Sequence, residues 1–351
     1  MNTFPWTLFA GLAGEAEFTS AFTLETITAT GADVAVMDSG TAIAIYSTSS
    51  IAKIIAFTFD ETGILTKGTA VTIPGGRGRV LICRLDATHA AISYANASGF
   101  PKYAPVTLSG TTTLAIGTEA NSSGLPYSMK ALSSTHFEAV WRLVTGELYV
   151  GAFEYTGTLI VGKVAAYVSN NCDFSTSPQL AVFDSQYSIV SFQENTTNDG
   201  RAVVCDYTAP MTLNVGNLYT YESTSVNCCA VATQSSTEAV VYWGAEARLL
   251  TRSGTSLSVG AVQTITDGGA CEAFEFFNAT DGYCALFYDL DKAMKLVESS
   301  GTITESGLSD TYTDNGLKYV DSVDHVADDY GVVVCRNGGD IVARIVHINN
   351  I

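Results

Sequence analysis

Apolar residues along this chain gather in strand-length runs broken by short polar turns, and they do not recur at helical spacing. The segment Asn227 to Ile265 shows the pattern best. Cys228 to Thr233, Thr237 to Trp243, Arg248 to Arg252 and Ser256 to Val262 are four strand-like pieces, parted by Gln234-Ser235-Ser236, Gly244-Ala245 and Ser253-Gly254. The separators carry residue types that favour tight reversals. Four short strands joined by such turns predict one antiparallel sheet.

The unit returns along the whole chain. Its most regular mark is the tetrad Leu-x-x-Gly, at Leu8 to Gly11, Leu65 to Gly68, Leu114 to Gly117, Leu159 to Gly162, Leu213 to Gly216 and Leu257 to Gly260, with a degenerate copy at Thr304 to Gly307. Copies about 50 residues apart, filled with strands and no helices, predict an all-β chain: a seven-bladed β-propeller of four-stranded antiparallel blades. Residues 1–351 then form a single domain. The tetrad glycine is expected at a bulge or close approach in the outer strand, where no side chain fits.

A second mark is a large side chain ending the second strand of each unit, read at Tyr46, Tyr94, Trp141, Tyr207, Tyr242 and Tyr288, with Cys335 in the last copy. The uneven spacing on either side of Tyr207 points to an insertion near 169–186, within which Asn170 to Pro178 reads as a loop. After Gly307 the chain supplies only three strands, Lys318 to Val326, Tyr330 to Cys335 and Ile341 to Ile348. The fourth is expected from Thr7 to Gly11, so that the N-terminal strand closes the last blade and removes an exposed sheet edge.

The stretch Gly254-Thr255-Ser256-Leu257-Ser258-Val259-Gly260-Ala261-Val262 resembles the G-T-S-x-S-x-G-x-x-V repeat of propeller modules found in phage virion proteins and bacterial surface proteins. Related stretches are Gly110 to Gly117, Gly157 to Gly162 and Thr62 to Gly68. The turn after the second strand departs from the regular Asp/Ser/Gly-rich loop of that family. The resemblance implies a non-enzymatic structural or adhesion module of a virus particle, decorating the virion or contacting host surface glycans. Its implied partners are other virion or surface proteins and glycans, and its implied location is a virion or a cell surface. No Trp-Asp dipeptide closes a blade as in WD40 repeats, and the sialidase Ser-x-Asp-x-Gly-x-x-Trp box is absent.

Charge narrows the partners. A net charge of −18, without a basic run, would repel a phosphate backbone, so nucleic acid is not an expected partner. No apolar run approaches about 18 residues, and membrane insertion is not expected. The eight cysteines are dispersed and read as small buried residues, with Cys172, in the loop, the one expected to be exposed. Free thiols also permit a cytoplasmic protein-interaction hub.

Candidate chemistry is sparse. No phosphate loop, Ser-His-Asp order or nucleophile elbow occurs, so no catalytic residue, metal or cofactor is expected. The alternative function is a carbohydrate-active enzyme, a glycoside hydrolase or lyase, with Glu272/Glu275 and Asp289/Asp291 as the available paired carboxylates. Asp310 to Gly316, and Asp321 to Asp329 around His325, have oxygen ligands for a hard cation but lack ordered loop spacing and read as turns. His89 and His136 each follow a Thr at the start of the second strand, as a repeat template would place them. Aromatic faces beside amides suit sugars. Two loops have that mixture: Tyr94, Asn96, Phe100 and Tyr103 in one, and Asn170, Asn171, Asp173 and Phe174 in the other. For Tyr94 and Tyr103 simple core packing is the competing role.

Overall fold

The computed structural model describes residues 16–121, 124, 126–143, 145–173, 176–208, 212–224, 226, 229–265, 271–278, 283–288, 292–299, 302–308, 319–327, 330–337 and 339–348. All regular structure among them is strand. Among the described residues seven antiparallel sheets follow one another in chain order, each built from consecutive strands lying side by side, the last joined also by strands from near the N-terminus. The first is Gly31–Asp38, Thr41–Ser47, Ala52–Asp60 and Gly63–Lys67. In four of the sheets a short further strand returns to the third, as Val71–Ile73 does to Ala52–Asp60. The first strand of each sheet packs beside the first strand of the next, and Tyr319–Ala327 packs beside Gly31–Asp38, so these contacts return to their start.

The second strands explain why apolar runs here are unbroken rather than alternating. All seven residues of Thr41–Ser47 are buried. Ile43 and Ile45 point into a cluster shared with Ile82 and Ile92 of the second sheet. Ala42, Ala44 and Tyr46 point the other way, into a cluster shared with Val334, Ile341 and Ala343 of the last. The two-residue period of a strand thus assigns alternate side chains to two different neighbours, and both faces are dry. The core is a series of such layers between sheets. Outer strands such as Gly63–Lys67 are largely exposed.

The register expected from the aromatic mark needs one correction. In the fourth sheet the strands are Gln179–Val182, Tyr187–Gln193, Gly200–Thr208 and Thr212–Val215, so Tyr207 lies on the third strand. Its place on the second is taken by Phe192, which pairs with Arg201 as Tyr46 pairs with Lys53 and Trp141 with Tyr149. Phe192 falls midway between Trp141 and Tyr242, and the uneven spacing disappears. Within the segment read as an insertion, 169–186, Gln179–Val182 is the first strand of the fourth sheet. A buried ring serves the layer whether or not it carries a hydroxyl, which is why Phe stands there. Cys172, expected to be exposed, is buried, its N–H donating to Gly146 O at 3.0 Å.

Residues Thr7 to Gly11 lie outside the described residues. Ala16–Phe18 and Phe22–Thr26 both pair antiparallel with Asp340–Ile348, the third strand of the last sheet.

Among the described residues the Leu-x-x-Gly tetrads lie in or at the end of the fourth strands, the tetrad at Leu8 to Gly11 falling outside them. Four of the glycines donate N–H to the third strand of their own sheet, Gly68 to Ala56 O, Gly117 to Pro105 O, Gly216 to Val204 O and Gly260 to Leu249 O. At three of them a side chain would strike the outer hairpin of the following sheet: a Cβ on Gly216 would meet Thr255 O at 2.5 Å, one on Gly68 would meet Thr112 O closer still, and one on Gly117 would meet Thr158 O at 3.1 Å. Gly254, in the outer hairpin itself, has φ of 60° with open space around it, a turn position of another kind. Gly216→Val is expected to destabilise the chain by roughly 1–3 kcal/mol through overpacking. Gly254→Asn, whose residue tolerates left-handed φ, should cost about 1 kcal/mol or less. Urea unfolding of the two variants checks both.

Candidate functional site

The first strands of neighbouring sheets face one another without ladder hydrogen bonds between them, among the described residues. Their edge N–H groups need other acceptors. Asp33 and Asp324 provide them. Asp33 Oδ2 accepts from Ile82 N of the second sheet at 2.8 Å, and its Oδ1 accepts from Ser322 Oγ of the last sheet at 2.5 Å and from Val34 N at 2.9 Å. Asp324 Oδ2 accepts from Val36 N of the first sheet at 2.6 Å, and its Oδ1 from His325 N at 3.0 Å. Each carboxylate therefore fastens its own sheet to a neighbour.

These groups line a cavity of about 310 Å³ where the first strands converge, together with Cys83, Lys130 and Glu275. Lys130 Nζ donates to Glu275 Oε2 at 2.6 Å, joining the third sheet to the sixth. Burial pushes the Asp324 carboxyl up to about 7, with Lys130 opposing and Glu275 and Asp33 adding to the rise. Burial also raises Asp33, against the hydrogen bonds from Ser322, Ile82 and Val34 and the charge of Lys130. Desolvation alone would lower Lys130, but the charges of Glu275, Asp324 and Asp33 outweigh it and hold the ammonium above its ordinary value. Among the described residues no group of His, Cys, Asp and Glu is arranged to hold a metal ion.

The residues expected to bind a ligand are divided by the structure. Tyr94 is fully buried, its hydroxyl donating to Glu119 Oε1 at 2.5 Å. Tyr103 is fully buried against Phe137 and Phe153. Neither ring offers a face for stacking, so packing is the role of both. Asn96 caps its own hairpin, Oδ1 accepting from Ser98 N at 3.0 Å and Phe100 N at 2.9 Å, and Phe100 is 66% exposed. Asn170 is exposed, and Asn171 Nδ2 donates to Thr196 Oγ1 at 2.6 Å, while Asp173 N bonds to Gln193 O. Phe174 lies outside the described residues. In a sheet of consecutive antiparallel strands, the hairpin between strands two and three and the exit of strand four emerge at the same end. Asn96 and Phe100 therefore share a face with Asn170, Asn171 and Asp173, although on different sheets.

Other sequence candidates fall differently. Residues 321–327 lie in the strand Tyr319–Ala327, which matches the strand expected at Lys318 to Val326 and not the turn also read at Asp321 to Asp329. Glu275 faces Lys130 across the cavity. The Glu272 side chain, Asp289 to Asp291 and Asp310 to Gly316 lie outside the described residues. His89 packs on Tyr155 and His136 on Tyr207 at a tilt, with centroids 5.1 and 5.5 Å apart, a repeated contact between successive sheets. Sequence reasoning passed over Asp33 and Lys130, since single charges inside apolar runs are their only signal.

No protein-family model and no curated protein sequence matches the chain. Solved structures do. A Bacteroides fragilis protein described as a candidate 6-phosphogluconolactonase superposes with a TM-score of 0.62 at 10% identity, over 84% of this chain and 94% of that one. The β-propeller domain of Cps50 (Swd1) from Myceliophteria thermophila gives 0.57 at 10%, over 94% and 99%. The C-terminal WD40 domain of Sif2 gives 0.52 at 10%, over 97% and 100%. The fold is a β-propeller. At this identity the likeness carries architecture alone, and the propeller is built here without the Trp-Asp dipeptide of WD40 repeats.

One further titratable group sits within the propeller, away from the cavity. Glu138, fully buried between the third and fourth sheets, accepts a hydrogen bond from Ser188 Oγ, and burial pushes its carboxyl up to about 7 despite that bond. A raised folded-state pKa means the folded chain holds the proton more tightly than the unfolded one. The associated stability is complete below about pH 4 and is lost as pH rises through about 7, amounting to roughly 3 kcal/mol. Glu138→Gln should flatten the stability profile between pH 5 and 8 (about the range set by that titration), as read by denaturant unfolding at each pH. In the cavity, Asp324→Asn keeps an acceptor for Val36 N and should be tolerated. Asp324→Leu orphans that N–H and should cost roughly 1–3 kcal/mol in the same assay.

Proposed function

We propose that this chain is a non-enzymatic, seven-bladed propeller whose N-terminal strands complete the last blade, and that it serves as a binding module on a virion or cell surface. The ring reading is supported by the cyclic packing of first strands and by the pairing of residues 16–18 and 22–26 with Asp340–Ile348. The virion or surface setting rests on the resemblance of the Gly254 to Val262 repeat to modules of that kind. Glycans or surface proteins are the proposed partners.

One observation carries the non-enzymatic reading. Both oxygens of Asp33 and of Asp324 are occupied by hydrogen bonds from the protein itself, and Glu275 is paired with Lys130. A general acid or nucleophile must direct an oxygen at substrate. These carboxylates direct theirs at neighbouring sheets.

A second reading, a carbohydrate-active enzyme, is favoured by three carboxylates sharing one cavity with Asp324 poised at about 7. The two separate cleanly. Incubated with polysaccharides, the purified protein should release no reducing ends, and should associate with host cells or with the particle that carries it, where electron microscopy would show copies at symmetric positions. Release of reducing ends that Asp324→Asn and Glu275→Gln abolish would establish the enzyme instead. Failure to associate with any particle, cell or glycan would remove the adhesion reading.

A further inference from the structure

The cavity opens, at the end from which the first strands begin, into a mouth of about 380 Å³ lined by Thr30, Arg79, Tyr127, Ser177 and Gln179 among others. Ion pairs hold seven of the Lys and Arg side chains among the described residues. Arg201 pairs with Glu194 and Asp199, Arg248 with Glu222 and Arg252 with Asp184. Arg79 is exposed at the mouth, and among the described residues no carboxylate forms an ion pair with it.

Its guanidinium is nonetheless held in place. It lies 4.0 Å from the centre of the Tyr127 ring, a stacked cation–π arrangement that leaves the edge of the fork free to donate. Arg142 stands 5.1 Å from the same ring and fixes it, Nη2 donating to the Tyr127 hydroxyl at 2.7 Å. Two cations on one ring repel each other, and an anion between solvent and the ring relieves that repulsion. The pattern is that of a preorganised carboxylate receptor.

We propose that this mouth binds the carboxylate of an acidic monosaccharide, a uronic or sialic acid residue, with Arg79 as the anion contact. The rest of the rim fits a sugar. Thr30, Ser177 and Gln179 supply hydroxyls and an amide for ring hydroxyls, while Tyr127 holds Arg79 in place. Deeper in, the lining turns acidic at Asp33, Asp324 and Glu275. A second carboxylate is repelled from that depth, so the ligand is oriented with its single carboxylate at the rim. The assignment rests on the glycan-contacting reading above and names the sugar class.

The test is calorimetric titration of the full chain with sodium glucuronate, sodium N-acetylneuraminate, glucose and inorganic phosphate. At least one of the two acids is expected to bind, with glucose and phosphate at least about tenfold weaker, and affinity should fall as salt rises. Arg79→Gln should weaken acid binding at least about tenfold with an unchanged melting temperature, and Arg79→Lys should retain part of it. Equal binding of glucose or phosphate, undiminished binding by Arg79→Gln, or no binding of either acid overturns the assignment. Arg79→Gln protein that still associates with cells or particles as the wild type does would sink this site while leaving the adhesion reading intact.

Discussion

A four-stranded sheet with apolar residues on both faces of its middle strands is insoluble by itself, and everything else in this molecule follows from how that surface is covered. Ile43 and Ile45 face one neighbour while Ala44 and Tyr46 face the other. No sheet can bury its faces except between two others, so the stable arrangement is a succession of sheets whose contacts close on themselves. Burial in layers between successive sheets replaces the single central core of other domains.

Closing the succession sets two secondary constraints. At the outer rim, hairpins of successive sheets come so close that Gly68, Gly117 and Gly216 have no room for a side chain, as at Gly216 beneath Thr255. At the inner end, first strands meet edge to edge without a shared ladder, and their N–H groups would be left dry. Asp33 and Asp324 answer that need by reaching across to Ile82 and Val36. The acidic lining of the cavity is thus a product of strand geometry, and Lys130 keeps it from becoming a cluster of like charges.

Function on such a scaffold belongs to the ends, where hairpins and connections are free of the layers. The loop carrying Asn96 and Phe100, the connection carrying Asn171 and Asp173, and the mouth with Arg79 and Tyr127 emerge at the same end of the sheets. Arg142 links two of them, since it donates both to Tyr127 and to the backbone of Asp173. The mouth and the connection between the third and fourth sheets are thereby one braced surface.

The sequence by itself determined the repeating four-strand unit, the absence of helices and the outer position of the tetrads, because hydrophobic period and turn chemistry are local properties of a chain. It misplaced one register: Tyr207 and Phe192 are equally large and apolar, and only pairing partners distinguish a second strand from a third. It offered Tyr94 and Tyr103 as ligand contacts, since an aromatic residue reads the same whether it faces solvent or a neighbouring sheet. It passed over Asp33, Lys130 and Arg79, which stand singly in separate repeats dozens of residues apart. Tertiary structure alone decided that they meet, because convergence of strands on one channel is a long-range consequence of closing the ring of contacts, and no local pattern encodes the distance between side chains from different sheets.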